Sequence, residues 1–314
     1  MVLFQEDVGW HIRSLAQSIE RIVASIYSVT SSAVRAEVSA YDPFRKDNLL
    51  AWCIVPFDVT QRDSKHRATM LQRLGIGALA YDWRDEHLPL FDEELRQLRD
   101  HEIELSAFWL AGSAPKDADA ARADRHIRAV LDFVERNGLQ IEVWKTCGGP
   151  HIEELADLEE RLDTAVAEVS VLADLFADLG CTYGLYNHGG WGGLPQTMID
   201  IAKRTEETGI VYNFHHGHEH LAQMPADFNA MVPHLLCVNL NGMAVDGEKI
   251  LPLGDGDNDL ALLNLVVDSD YSGPVGLLDH RPEMDSEESL RQNLDGLQRL
   301  LAERGDQTAL ATYI

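Results

Sequence analysis

The chain has 314 residues, with 26 Lys and Arg against 52 Asp and Glu, a formal charge of −26. Its 45% hydrophobic content excludes a disordered chain, and the length suits one large α/β domain or two smaller ones. So acidic a surface repels nucleic acid and anionic membranes, and no run reaches the ~20 apolar residues of a bilayer span.

Residues 1–48 read as a helical extension. Residues 10–28 suit one amphipathic helix, and the breaker Asp42-Pro43 follows a Ser, Thr and Ala stretch. This arm could pack on a second subunit, giving a homo-oligomer, or cap the bottom of the domain behind it. Residues 22–34 form an uncharged run faintly like an export signal. Glu6, Asp7 and Glu20 precede it, so a cytoplasmic location is the expectation and export the alternative. Cys53, Cys147, Cys181 and Cys237 are far apart and form no CxxC pair, which fits free thiols in a reducing compartment.

From Asn48 onward the pattern becomes regular. Short apolar runs begin near Ala51, Ile76, Glu104, Gln140, Cys181, Ile210, Leu235 and Pro274, and each precedes a segment with helical spacing. The clearest such segment is residues 152–179, where Ile152, Leu155, Leu158, Leu162, Val166, Val169 and Leu172 predict one helix. Gly75, Gly138, Gly180 and Gly209 stand where helices should end in a left-handed residue. Eight strand-then-helix units in about 255 residues predict an α/β fold, a (β/α)8 TIM barrel over residues 49–314. A doubly wound sheet is the competitor, but no GxGxxG follows the first strand.

Such a barrel places its chemistry at the C-terminal ends of the strands. Here these ends read Phe57-Asp58, Tyr81-Asp82-Trp83-Arg84, Phe108-Trp109 and Trp144-Lys145-Thr146-Cys147. The later four read Tyr186-Asn187-His188, Asn213-Phe214-His215-His216-Gly217-His218, Asn239-Leu240-Asn241 and Leu278-Asp279-His280. Aromatic rings beside amides and histidines suit a polyhydroxylated ligand, because rings stack on a sugar's apolar face while the polar groups bind its hydroxyls. Seven of the 13 histidines fall between His188 and His280. His216 and His218, two apart, could chelate a metal in extended geometry or move protons near neutral pH. Asp255-Gly256-Asp257-Asn258-Asp259 is not a calcium loop, since Leu260 and Val266 occupy its required Gly and Glu positions. A turn into the seventh helix, with Asp257 or Asp259 near the helix start, is the expected role.

From Leu185-Tyr186-Asn187-His188-Gly189-Gly190 the chain resembles the xylose isomerase-like TIM barrels, a superfamily of sugar isomerases and epimerases that also includes endonuclease-type enzymes. The likeness continues through Gly209-Ile210-Val211-Tyr212-Asn213, Val238-Asn239 and Tyr271-Ser272-Gly273-Pro274-Val275-Gly276. It implies one divalent metal held by Glu, Asp, His and Glu from strands five to eight, with the carboxylates moving the proton beside a carbonyl. Those positions fall on Tyr186, Asn213, Asn239 and Leu278, or on Asp279 if the last strand shifts by one. Three routes remain open: a barrel that only binds, a metal-free enzyme using histidines, or a rebuilt Zn, Mn, Fe or Ni site. The rebuilt site would draw on His188, His216, His218, Asp279 and His280.

The resemblance implies a sugar isomerase- or epimerase-like enzyme that abstracts a proton beside the carbonyl of a carbohydrate or keto-sugar, by isomerisation, epimerisation or β-elimination. The alternative is a non-catalytic barrel that binds a carbohydrate or a partner. His188 and His216 are the expected base and acid, with Lys145 and His280 polarising the carbonyl or stabilising an enediolate oxygen. Tyr186, Asn187, Asn213, His218, Asn239 and Asn241 are expected to bind hydroxyls, and Trp109 and Trp191 to cover the sugar. A nuclease is disfavoured by the charge and by the missing His, Glu and Asp cluster.

Overall fold

The computed structural model describes residues 42–314. The expected helix over residues 10–28 and the apolar run 22–34 lie outside the described residues. Eight parallel strands close into a barrel in sequence order: β1 (Leu49–Trp52), β2 (Ala78–Tyr81), β3 (Glu104–Trp109), β4 (Glu142–Thr146), β5 (Thr182–Tyr186), β6 (Thr208–Asn213), β7 (Leu235–Leu240) and β8 (Val275–Leu278). Each begins within two residues of the apolar run read from the sequence. Parallel strands are covered on both faces, so they read as near-continuous apolar stretches; β1 and β8 are buried at every position.

The two-residue period of the strands decides which side chains see the barrel interior. Leu50, Trp52, Ala80, Ala107, Trp144, Tyr186, Val211, Cys237 and Leu278 form the inner cluster. Their neighbours, among them Leu49, Leu79, Tyr81, Phe108, Val143, Leu185, Tyr212 and Leu277, pack outward against the helices. The interior is aromatic: the Trp52 ring lies 5.0 Å from Trp144 and 5.7 Å from Tyr186 between centroids. Trp52 Nε1 also donates to the Tyr186 hydroxyl at 3.1 Å. Gly184 in β5 is what makes room for this packing, because a Cβ there would sit 2.7 Å from the Trp144 ring.

The helical layer begins with α1 (Ser64–Leu74), whose Asp63 cap accepts from the His66 amide and whose end is Gly75 at φ 69°. Gly138 closes the helix Arg125–Asn137 in the same way, at φ 58°. Gly209 does not end a helix: it lies buried inside β6, where a side chain would strike Leu236. The single helix expected over residues 152–179 is two, Pro150–Glu153 and Leu158–Ala177. Asp157 breaks it by turning its carboxylate onto the Glu160 amide, which starts a new helix and leaves Leu158 exposed.

The unit containing the barrel runs from Pro43 to Ile314. Residues 43–48 join it through the Lys46 amide on Thr312 Oγ1 at 2.9 Å and the Tyr313 hydroxyl on the Phe44 carbonyl at 2.8 Å. All four cysteines are free thiols. Among the described residues no helix is long and apolar enough to cross a membrane.

Candidate active site

A cleft with about 450 Å³ of open space occupies the C-terminal mouth of the barrel. Trp52, Trp109, Tyr186 and Leu278 form its apolar floor. The first strand ends at Trp52, earlier than expected, and Cys53 turns the chain with φ 63°. A side chain other than Gly is rarely held in that left-handed region, so the turn stores strain at the edge of the cleft. Phe57, expected at the strand end, instead reaches the cleft from the following loop and meets His280 edge to face, with ring centroids 4.0 Å apart. Asp58 faces away and binds Arg62 and the Ser286 amide.

The facing wall is imidazole. His188 and His216 have ring centroids 4.7 Å apart, and His215 lies 3.8 Å from His216. These rings crowd together because the chain after β6 winds into a 3-10 turn, Phe214–His220, rather than staying extended. The turn also separates the expected chelating pair: His218 bonds the Ala244 carbonyl at 2.6 Å. Burial first, then repulsion from His188, Lys249 and His280, drives the His216 imidazole down to about 3. His215 lies well below its ordinary value and His280 below it, both mainly through burial. His215, His216 and His280 are therefore neutral near pH 7.

Opposite them stands Asp82, which follows β2 and is 2% exposed. Ala80 faces the barrel interior, and two residues on Asp82 lines the cleft. Its Oδ1 accepts from the Val55 amide at 3.2 Å, while Oδ2 has no hydrogen-bond partner among the described residues. Burial raises the carboxyl to about 7, outweighing the opposing pull of Arg84 and the Val55 amide. Such a group is half protonated near neutral pH, the condition under which a carboxyl both takes and returns a proton.

Of the residues picked out in the sequence, the cleft gathers Tyr186, Trp109, His188, His216 and His280. Lys145 is not among them. On β4 it alternates with the inward Trp144, so it points outside the barrel wall, donating to the Gly112 carbonyl at 2.6 Å in a separate cavity. Asn187 ties β5 to β6 through the Asn213 backbone, accepting its amide at 2.7 Å and donating to its carbonyl at 3.0 Å. Asn241 staples the β7 loop through the Gly242 and Lys249 carbonyls. Trp191 packs against the core outside the cleft lining. Asp279 is buried against Ser289, with Arg281 nearby. Asn213 and Asn239 are register partners, both fully buried. Asp82, Arg84, His215, Trp52 and Phe57 line the cleft and were not singled out as site residues from the sequence. The strand-end position of Asp82, two residues beyond an inward alanine, is the signal that could have found it.

The donor set does not fit a divalent cation. At the four positions where the resemblance places ligands stand Tyr186, Asn213, Asn239 and Leu278, which offer no carboxylate and no imidazole. The rebuilt set does not converge, since His218 and Asp279 are engaged elsewhere. Among the described residues no three His, Cys, Asp or Glu side chains are grouped to hold an ion.

The profile of the family described as "Xylose isomerase-like TIM barrel" matches residues 69–300. No curated protein matches the chain. Among solved structures, a D-psicose 3-epimerase with D-tagatose from Clostridium cellulolyticum H10 superposes with a TM-score of 0.54 at 14% identity, covering 84% of this chain and 96% of its own. A D-tagatose 3-epimerase-like protein gives 0.61 at 14% identity, covering 82% and 99%. A 3-keto-D-glucoside 4-epimerase from E. coli gives 0.58 at 12%, covering 82% and 99%. At such identities these likenesses establish the fold.

Proposed function

This chain belongs to the xylose isomerase-like TIM barrel family, and from that premise we propose that its cleft moves a proton beside the carbonyl of a carbohydrate or keto-sugar without a divalent metal. Asp82 supports this most: its inward carboxyl is 2% exposed, has one oxygen without a partner among the described residues, stands at the mouth of an aromatic cleft, and is pushed up to about 7 by burial. Asp82 takes the proton from the carbon next to the carbonyl and returns it, or its removal expels a β-leaving group. This shifts the proton-transfer role away from His216, because its imidazole, driven down to about 3, is a weak base at neutral pH. Neutral His216, with His188 beside it, instead donates a hydrogen bond to the carbonyl oxygen as charge gathers there. The Trp52 and Trp109 rings face the apolar side of the sugar. The epimerase activities named for the structural neighbours favour a substrate with a keto group.

The test is a turnover screen of ketoses, aldoses and their acids with the wild type and Asp82→Asn. Loss of about 100-fold or more in the variant, with unchanged ligand binding, supports the role. Turnover that survives the substitution contradicts it. A second reading, a barrel that binds without chemistry, is favoured by the loss of every ligand position of the resemblance at Tyr186, Asn213, Asn239 and Leu278. It predicts sugar binding with no conversion by the wild type.

A further inference from the structure

Arg84 shares its lack of an ion pair among the described residues with Arg99, Arg122, Arg128 and Arg161, but of these five it alone lines the cleft. Arg62, Arg67, Arg73, Arg96 and Arg136 each find an acidic partner, and Asp85, the residue following Arg84, pairs with Arg125 and His126 instead. Arg84 lines the cleft and makes no ion pair among the described residues. It is nevertheless held in place. Nη1 donates to the Asp82 and Trp83 carbonyls, both at 2.8 Å, and the guanidinium carbon sits 5.4 Å from the Phe57 ring centroid. The edge formed by Nε and Nη2 makes no hydrogen bond within the described residues. Two parallel N–H donors on a fixed guanidinium match the two oxygens of a carboxylate. Lys249 adds positive charge near His216 and His280 and likewise makes no ion pair among the described residues.

The places where a barrel of this kind would cradle a phosphate are already filled. Phosphate is taken by the loops after the seventh and eighth strands, on free backbone amides. After β7, the Gly254, Gly256 and Met243 amides all donate to the Asp259 carboxylate, at 2.7, 3.0 and 3.3 Å. After β8, at the start of the helix Ser286–Arg304, the Ser286 amide donates to Asp58, and the Glu287 and Glu288 amides donate to Asp285. A phosphate would meet the chain's own carboxylates at both positions.

We propose that the ligand of this cleft is a hexuronate, a sugar that carries a carboxylate, and that Arg84 is the residue that selects it. The inference rests on the carbohydrate reading above and adds the charge class of the ligand.

The experiment is calorimetric titration of the full chain with D-glucuronate, D-galacturonate and D-mannuronate, each beside its parent hexose and its hexose 6-phosphate. At least one hexuronate should bind more tightly than both its parent and its phosphate, and more weakly as salt rises. Arg84→Met should weaken that hexuronate by about 10- to 100-fold, with the parent hexose held to within about twofold. Arg84→Lys, which keeps the charge and loses the fork, should fall between. Tighter binding of a 6-phosphate, no binding of any hexuronate, or equal weakening of hexuronate and hexose by Arg84→Met would each overturn the proposal. Its failure is separable from that of the proton-transfer reading. Arg84-dependent hexuronate binding without Asp82-dependent turnover removes only the latter. Asp82-dependent turnover of a neutral sugar, indifferent to Arg84, removes only the former.

Discussion

Replacing Asp82 by Asn should stabilise the protein at alkaline pH and not at acid pH. The carboxyl stands at about 7 in the fold against an ordinary value near 4. A raised acid destabilises the folded state once it must ionise there. The penalty is absent below about 4, grows between about 4 and 7, and is complete above that. A rise from about 4 to about 7 corresponds to about 4 kcal/mol at full development, with 1.36 kcal/mol per pH unit. Exposure does not discount it, because Asp82 is 2% exposed. Asparagine removes the ionisation but puts an NH2 in place of Oδ1 or Oδ2, which costs about 1 to 3 kcal/mol if it finds no acceptor. Urea unfolding of both proteins at pH 5 and pH 8 should therefore show the variant gaining about 2 to 4 kcal/mol on the wild type between the two conditions. A stability gap that stays flat with pH would refute the electrostatic account of this site, whatever the turnover assays show.

Other consequences are as direct. Glu94→Ala leaves the Arg67 guanidinium, 3% exposed, without its carboxylate, and should cost about 3 to 5 kcal/mol in urea unfolding. Gly184→Ala should cost about 1 to 3 kcal/mol and change tryptophan fluorescence, because the new methyl meets the Trp144 ring and Val211. Burial holds the Cys53 and Cys237 thiols well above their ordinary value and pushes Cys147 up to about 12. Iodoacetamide at pH 8 should thus label the folded chain far more slowly than the chain in urea, read by mass spectrometry.

The strands were legible because a closed parallel barrel buries both faces of each, so composition alone marks Leu49–Trp52 or Val275–Leu278. The aromatic and imidazole character of the mouth was legible for the same reason, once the strand ends were located. What escaped was direction. Lys145 and Trp144 adjoin in sequence, yet the strand sends them to opposite faces, and only the observed pairing of β4 with β3 and β5 fixes which. Asp82 reaches the cleft through a stretch where the β2–β3 register shifts between Leu79 and Ala80, an irregularity that apolar spacing does not report. The His215–His216 pair depends on a 3-10 turn, and the helix break at Asp157 on a side-chain cap that competes with an unbroken apolar period.

Asp82 should exchange a proton with the carbon beside a sugar carbonyl. The most direct measurement is proton NMR of ketoses, uronates and keto-aldonates incubated with the protein in D2O. In a sugar that binds the cleft, the hydrogen next to the carbonyl should lose its signal, at a rate reduced about 100-fold or more in Asp82→Asn. No deuterium entering any sugar that binds, or exchange that proceeds equally in the variant, would contradict it.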